Sequence, residues 1–112
     1  MSDAAQNEQK VQVTIRVEPG SLGPDGLDHV EDFCRVAQCY FDKLYVGTLC
    51  WQVIPRYDKS LAEIEYCYLN RTLNEAQANK MLSLINKDID SMDEETMQHI
   101  ANLIDKFLGH QY

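Results

Sequence analysis

From position 11 the chain alternates. Val11, Val13, Ile15 and Val17 are apolar, while Gln12, Thr14, Arg16 and Glu18 are polar. Successive side chains of a strand point to opposite faces, so this period of two predicts a half-buried β-strand, and its β-branched residues suit one. Residues 19–26, Pro-Gly-Ser-Leu-Gly-Pro-Asp-Gly, end it, because Pro and Gly supply turn geometry and break a ladder. The period then changes. Leu27, Val30, Cys34, Ala37, Phe41 and Leu44 recur at steps of three and four, with Phe33 and Tyr40 widening the stripe, which predicts a helix over residues 26–44. Two more strand-like runs, 46–54 and 61–69, flank a polar turn at Asp58 and Lys59. Folded back there as an antiparallel hairpin, they set Trp51 opposite Tyr66, Val53 opposite Ile64 and Cys50 opposite Cys67. Trp51, Val53, Ile64 and Tyr66 then share an apolar face, and Gln52, Glu63 and Glu65 a wet one, as expected of a hairpin lying on a core.

Two capping boxes follow, Thr72 with Glu75 and Ser91 with Glu94, each predicting a helix start. The first helix carries Ala78, Met81, Leu82, Ile85 and Ile89 on one face. The second carries Met97, Ile100, Ala101, Ile104, Phe107 and Leu108, and ends at Gly109. The order is βαββαα, an α+β two-layer sandwich. A right-handed crossover joins the first two strands, and the hairpin partner slots between them. That predicts a three-stranded mixed sheet of order 1-3-2 with helices on one face; order 1-2-3 is the rival. The arrangement resembles a ferredoxin-like sandwich without its last strand, a fold that hosts many functions and therefore implies an architecture rather than an activity. The first strand would be an edge with few charges, so a homodimer through that strand or through the sheet face is expected. Residues 1–9 are polar and aperiodic and read as a disordered tail, leaving residues 10–112 as a single domain.

Charge narrows the partners. With 18 acids against 10 bases the chain carries a formal −8, which disfavours direct contact with nucleic-acid phosphates or anionic lipid. No run is long enough to span a bilayer and no secretory signal opens the chain, so a cytoplasmic location is expected, with the four cysteines reduced. The acids gather at two helix starts, Asp25, Asp28, Glu31 and Asp32 at one, and Asp88, Asp90, Asp93, Glu94 and Glu95 at the other. Helix dipoles account for carboxylates there. The same groups also form the candidate interaction surface, for a protein partner with a basic face or in imitation of nucleic-acid charge.

Catalytic chemistry finds little footing in these residues. The 20–26 loop follows a strand but lacks a phosphate-binding glycine pattern, and Asp25 and Asp28 would repel an anion. The run from Asp88 to Glu95 puts Met92 where a calcium ligand would stand and supplies no glycine turn. Cysteine spacings of five, eleven and seventeen contain no zinc motif. Neither a metal nor a cofactor is expected, and no catalytic residue is assigned. Two features remain. Cys50 opposite Cys67 on neighbouring strands is a candidate redox pair, with two reduced thiols the simpler expectation. Trp51, Tyr66, Phe41 and Cys34 would line any pocket between sheet and helices, the basis of an alternative small-molecule-binding or enzymatic reading. The leading expectation is a small acidic non-catalytic interaction domain: an adaptor, inhibitor or regulatory subunit.

Overall fold

The computed structural model describes residues 10–109, so the tail assigned to residues 1–9 lies outside it. Its first strand, β1 (Val11–Val17), leads through a single 3₁₀ turn (Pro19–Leu22) into helix α1 (Gly26–Phe41). Strands β2 (Leu49–Pro55), β3 (Ile64–Tyr68) and β4 (Arg71–Thr72) follow, then helices α2 (Glu75–Leu82) and α3 (Ile89–Phe107). The class is α+β, as the periodicities predict.

The sheet is ordered β2-β1-β3-β4, which corrects the three-stranded 1-3-2 order and the ferredoxin-like comparison. β1 is central rather than an edge. It runs parallel to β2, with Val13 beside Trp51 and Ile15 beside Val53, and antiparallel to β3, with Val13 beside Tyr66 and Ile15 beside Ile64. The expected hairpin between β2 and β3 does not form. A tight turn at Asp58 and Lys59 is replaced by a loop that the Arg56 guanidinium organises, donating to the carbonyls of Leu61 and Lys59 at 2.9 and 3.0 Å. The residues that share the core face are nonetheless those expected, since Trp51, Val53 and Tyr66 are buried beside Val11, Val13, Ile15 and Val17. Inward and outward positions depend only on the period of two, whereas strand order depends on which ladders close, and the same alternation fits several orders.

β4 is a short addition that periodicity does not announce. Leu69 and Asn70, with φ of 52° and 64°, make a two-residue left-handed turn between Tyr68 and Arg71, the geometry that matches the twist of paired strands. Because Thr72 lies in this strand, the next helix starts later than predicted. Asn74 caps α2 reciprocally with Gln77, and Asp88 caps α3 reciprocally with Ser91. The helices cover one face of the sheet. α1 and α3 lie antiparallel: Phe33 meets Phe107 edge-on at 5.4 Å, while Tyr40 and Phe41 meet His99 at 5.2 and 5.9 Å. One continuous core results, centred on Val13, Val30, Phe33, Ala37, Phe41 and Met92.

Candidate functional site

The parallel strands β1 and β2 both finish at one end of the molecule, and the chain there is occupied by loops. The backbone N–H of Arg56 donates to the Val17 carbonyl at 2.8 Å, tying the two strand ends together. Pro19 fixes the first residue of the 3₁₀ turn, and the chain then doubles back so closely that Gly26 lies against the Pro19 carbonyl. Arg56 and Lys59 both reach Glu18, at 3.3 and 3.5 Å, which leaves the rim polar but nearly balanced in charge.

Two hollows flank that turn, with Glu18 on the border of both. One, of about 140 Å³, is an apolar groove between the sheet and α3, lined by Ile15, Val17, Met97, Ile100, Ala101 and Ile104. The other, of about 360 Å³, is shallower and bordered by Pro19, Pro24, Leu27, Arg56, Tyr57 and Lys59. Three large apolar side chains that line them are exposed: Leu27 at 72 % and Tyr57 at 59 % on the larger hollow, and Met97 at 41 % on the groove. Exposed apolar residues around adjoining concavities form a patch of the kind soluble proteins use for contact, and Tyr, Arg and Met are enriched in such patches.

The predicted acidic surface divides into two. Asp25, just before α1, and Asp28, Glu31 and Asp32 on its first half are all exposed beside this end. Glu31 accepts from the Tyr57 hydroxyl at 3.0 Å, and Asp32 pairs with Arg35. Asp88, Asp90, Asp93, Glu94 and Glu95 stand at the start of α3, and since α1 and α3 are antiparallel, they lie at the opposite end of a helix that measures about 24 Å. Several are turned to structural use: Asp88 caps α3, and Asp93 accepts from the buried Tyr66 hydroxyl at 2.6 Å.

Glu95 anchors a second polar cluster. It accepts from Lys87 at 2.9 Å and from the Tyr45 hydroxyl at 2.9 and 3.0 Å, and His99 stands 3.8 Å away with its other nitrogen 2.8 Å from the Tyr40 hydroxyl. Lys87, Ser91, Glu94, Gln98 and Asn102 surround it in an open depression of about 410 Å³. The Ser91 hydroxyl beside this acid and imidazole is engaged in the helix cap on both sides. The cluster joins three segments, the left-handed turn at Tyr45, the α2–α3 connection and α3 itself.

Partial burial pushes the Glu95 carboxyl up, but the bonds from Lys87 and Tyr45 outweigh it and hold the group below its ordinary value. Glu65 is lowered too, chiefly by Arg16, which donates to it at 2.8 Å. A carboxyl lowered in the folded state contributes stability above the unfolded value near 4.5, and that contribution is lost as pH falls through the folded value. The urea midpoint is therefore expected to drop as pH falls from about 5 to about 3, and to drop less in Glu95→Gln and Glu65→Gln. An equal acid dependence in both variants would place the sensitivity elsewhere.

The remaining candidates are set apart by the sheet order. Cys50 and Cys67 each pair with Gln12 from opposite sides of β1, so two strand spacings, about 9.5 Å, separate them. A disulfide needs Cα atoms within about 7 Å, so the directly opposed redox pair is not formed, and none of the four cysteines is in a disulfide. Trp51, Tyr66, Phe41 and Cys34 are packed in the core and border none of the three hollows. Trp51 Nε1 donates to the Leu44 carbonyl at 3.0 Å, and burial, with Glu31 adding to it, pushes the Cys34 thiol up to about 11, where it is unreactive. Among the described residues no group of three His, Cys, Asp or Glu is placed to hold a metal ion, and no helix is long and apolar enough to cross a membrane. Sequence reasoning missed Arg56, Tyr57 and Lys59 because they read as a turn. An aromatic residue in that polar stretch was the available signal. Comparison with protein-family models, curated proteins and solved structures finds no match to this chain.

Proposed function

We propose that this chain is a non-catalytic protein-interaction domain, docking its partner on the end of the molecule where β1 and β2 finish. The observation that carries the reading is that Leu27 and Tyr57 on one hollow and Met97 on the adjoining one are all solvent-exposed. The groove beside α3 has the volume to seat one apolar side chain: a cavity of about 150 Å³ takes a benzene-sized group. A partner anchor in that groove would be dehydrated on most sides, the setting in which single residues dominate binding energy. Asp25, Asp28, Glu31 and Asp32 flank the same end and favour a partner with a basic rim, through faster encounter more than through final affinity. The second acidic group is too distant to share that contact, which favours a local docking surface over mimicry of an extended nucleic-acid strand. Four cysteines outside disulfides suit a reducing, cytoplasmic setting.

The test uses Ala101, which lines the groove yet is itself exposed, so that a large residue there fills the hollow without entering the core. Ala101→Arg is expected to keep wild-type stability and to weaken retention of the partner from native lysate by about tenfold or more, the scale of one lost anchor. Neutralising Asp25, Asp28, Glu31 and Asp32 together should instead flatten the salt dependence of retention. A partner held equally well by Ala101→Arg and by wild type removes this surface from consideration.

A further inference from the structure

β2 is an edge of the sheet, and it is poorly protected by composition. Leu-Cys-Trp-Gln-Val-Ile-Pro contains no charge, pairs among the described residues only with β1, and would be expected to recruit another strand along its open side. The central carbonyl and N–H on that side are already engaged. Gln38, from α1, donates from Nε2 to the Trp51 carbonyl at 2.8 Å and accepts at Oε1 from the Val53 N–H, also at 2.8 Å. A carbonyl and an N–H two residues apart on one side of a strand are the pair that a neighbouring strand would bind. The side-chain amide supplies the same donor and acceptor. Its orientation is fixed by Asp42, which accepts the second Nε2 hydrogen at 2.7 Å. At the ends of the strand, the Leu49 N–H is taken by the Tyr45 carbonyl at 2.8 Å, and Pro55 has no N–H to offer.

We propose that Gln38 acts as a one-residue substitute for a neighbouring strand and closes the β2 edge against a second copy of this chain. The second copy is the occupant excluded because the edge is self-complementary. In an antiparallel pairing with its two-fold at Gln52, Trp51 of each copy meets Val53 of the other, and both exchange their N–H and carbonyl groups. With no charged residue in the strand, nothing on the strand itself opposes that contact. The surface closed here is distinct from the docking end, so the two readings stand or fall separately.

The experiment is light scattering over a concentration series, combined with hydrogen exchange at the Val53 amide. Gln38→Met keeps the side-chain length and removes both polar atoms. It is expected to show mass rising with concentration toward twice that of wild type, with Val53 exchanging faster at the dilute end. Gln38→Lys removes the acceptor for the Val53 N–H and sets a charge at the edge, and should expose the Val53 amide without any gain in mass. Gln38→Ala carries the same expectation as the methionine variant if that one does not fold. The proposal is overturned by a folded Gln38→Met or Gln38→Ala that keeps wild-type mass throughout, or by a Gln38→Lys that associates as strongly as Gln38→Met. A wild-type Val53 amide exchanging as fast as an open loop amide overturns it as well, whatever the variants do.

Discussion

Phe41→Ala is expected to cost about 3–5 kcal/mol, the range for deleting a fully buried aromatic ring. Phe41 is fully buried. Its ring lies 4.8 Å from Trp51, 5.6 Å from Tyr40 and 5.9 Å from His99, so it is the point where α1, β2 and α3 meet. Truncation leaves a hole bordered by side chains from three elements, none of which can collapse without moving another. A domain of this size is commonly stable by about 5–15 kcal/mol, so the loss is a large fraction of the whole. The melting temperature should fall by about 15 °C or more. A denaturant titration checks it: the midpoint should move and the slope stay constant. Val36→Ala on the same helix, at a position 50 % exposed, should change stability by no more than about 0.5 kcal/mol. Similar effects at both positions would mean that α1 does not pack as described.

Gly26→Ala reverses the sign that helix propensity predicts. Within a helix, alanine is ordinarily favoured over glycine by about 1 kcal/mol. Here a Cβ would stand 1.7 Å from the Pro19 carbonyl oxygen and 2.6 Å from its carbon. These are backbone atoms, held by the 3₁₀ turn and unable to swing aside as a side chain does. The turn must open, and the expected cost is about 2 kcal/mol or more. Because Pro19 and Gly26 border the larger hollow and the turn separates it from the smaller, partner retention should fall together with stability. Gly20→Ala is the control, since its nearest atom is the Glu18 Cγ at an ordinary 3.9 Å. Its effect on both readouts should be slight. An alanine at 26 that stabilises the protein would contradict the close approach of turn and helix.

How far the sequence carries can be judged residue by residue. Val13, Trp51, Val53 and Tyr66 face the core as alternation requires, and Gln52 and Glu65 face away from it. Phe33, Cys34, Ala37 and Phe41 are buried on the helix stripe, but Leu27 at its start is 72 % exposed. Gly26 packs against the 3₁₀ turn while Leu27 beside it is left outside that contact, and periodicity does not report where the neighbouring element lies. The caps show the same limit. Asn74 with Gln77 and Asp88 with Ser91 use the predicted chemistry a few residues from the predicted positions, because several polar residues near each start can serve as a cap and β4 displaces one start. The candidate site was the least legible part. Arg56, Tyr57 and Lys59 become neighbours of Pro19, Pro24 and Leu27 only after β1 and β2 align in parallel.

The sequence by itself determined the class of fold and the inward face of the main strands and of most of α1, because these follow from the repeat along one strand or helix and the direction of its side chains. Tertiary structure alone decided that β1 lies between β2 and β3, that the thiols of Cys50 and Cys67 are separated by a strand, and that the two acidic groups stand at opposite ends. It also brought Gln38 to the edge of β2. Each of these is a relation between segments distant in the chain. Such relations are set by which surfaces exclude water from one another in three dimensions, and the period of a single segment fits more than one solution.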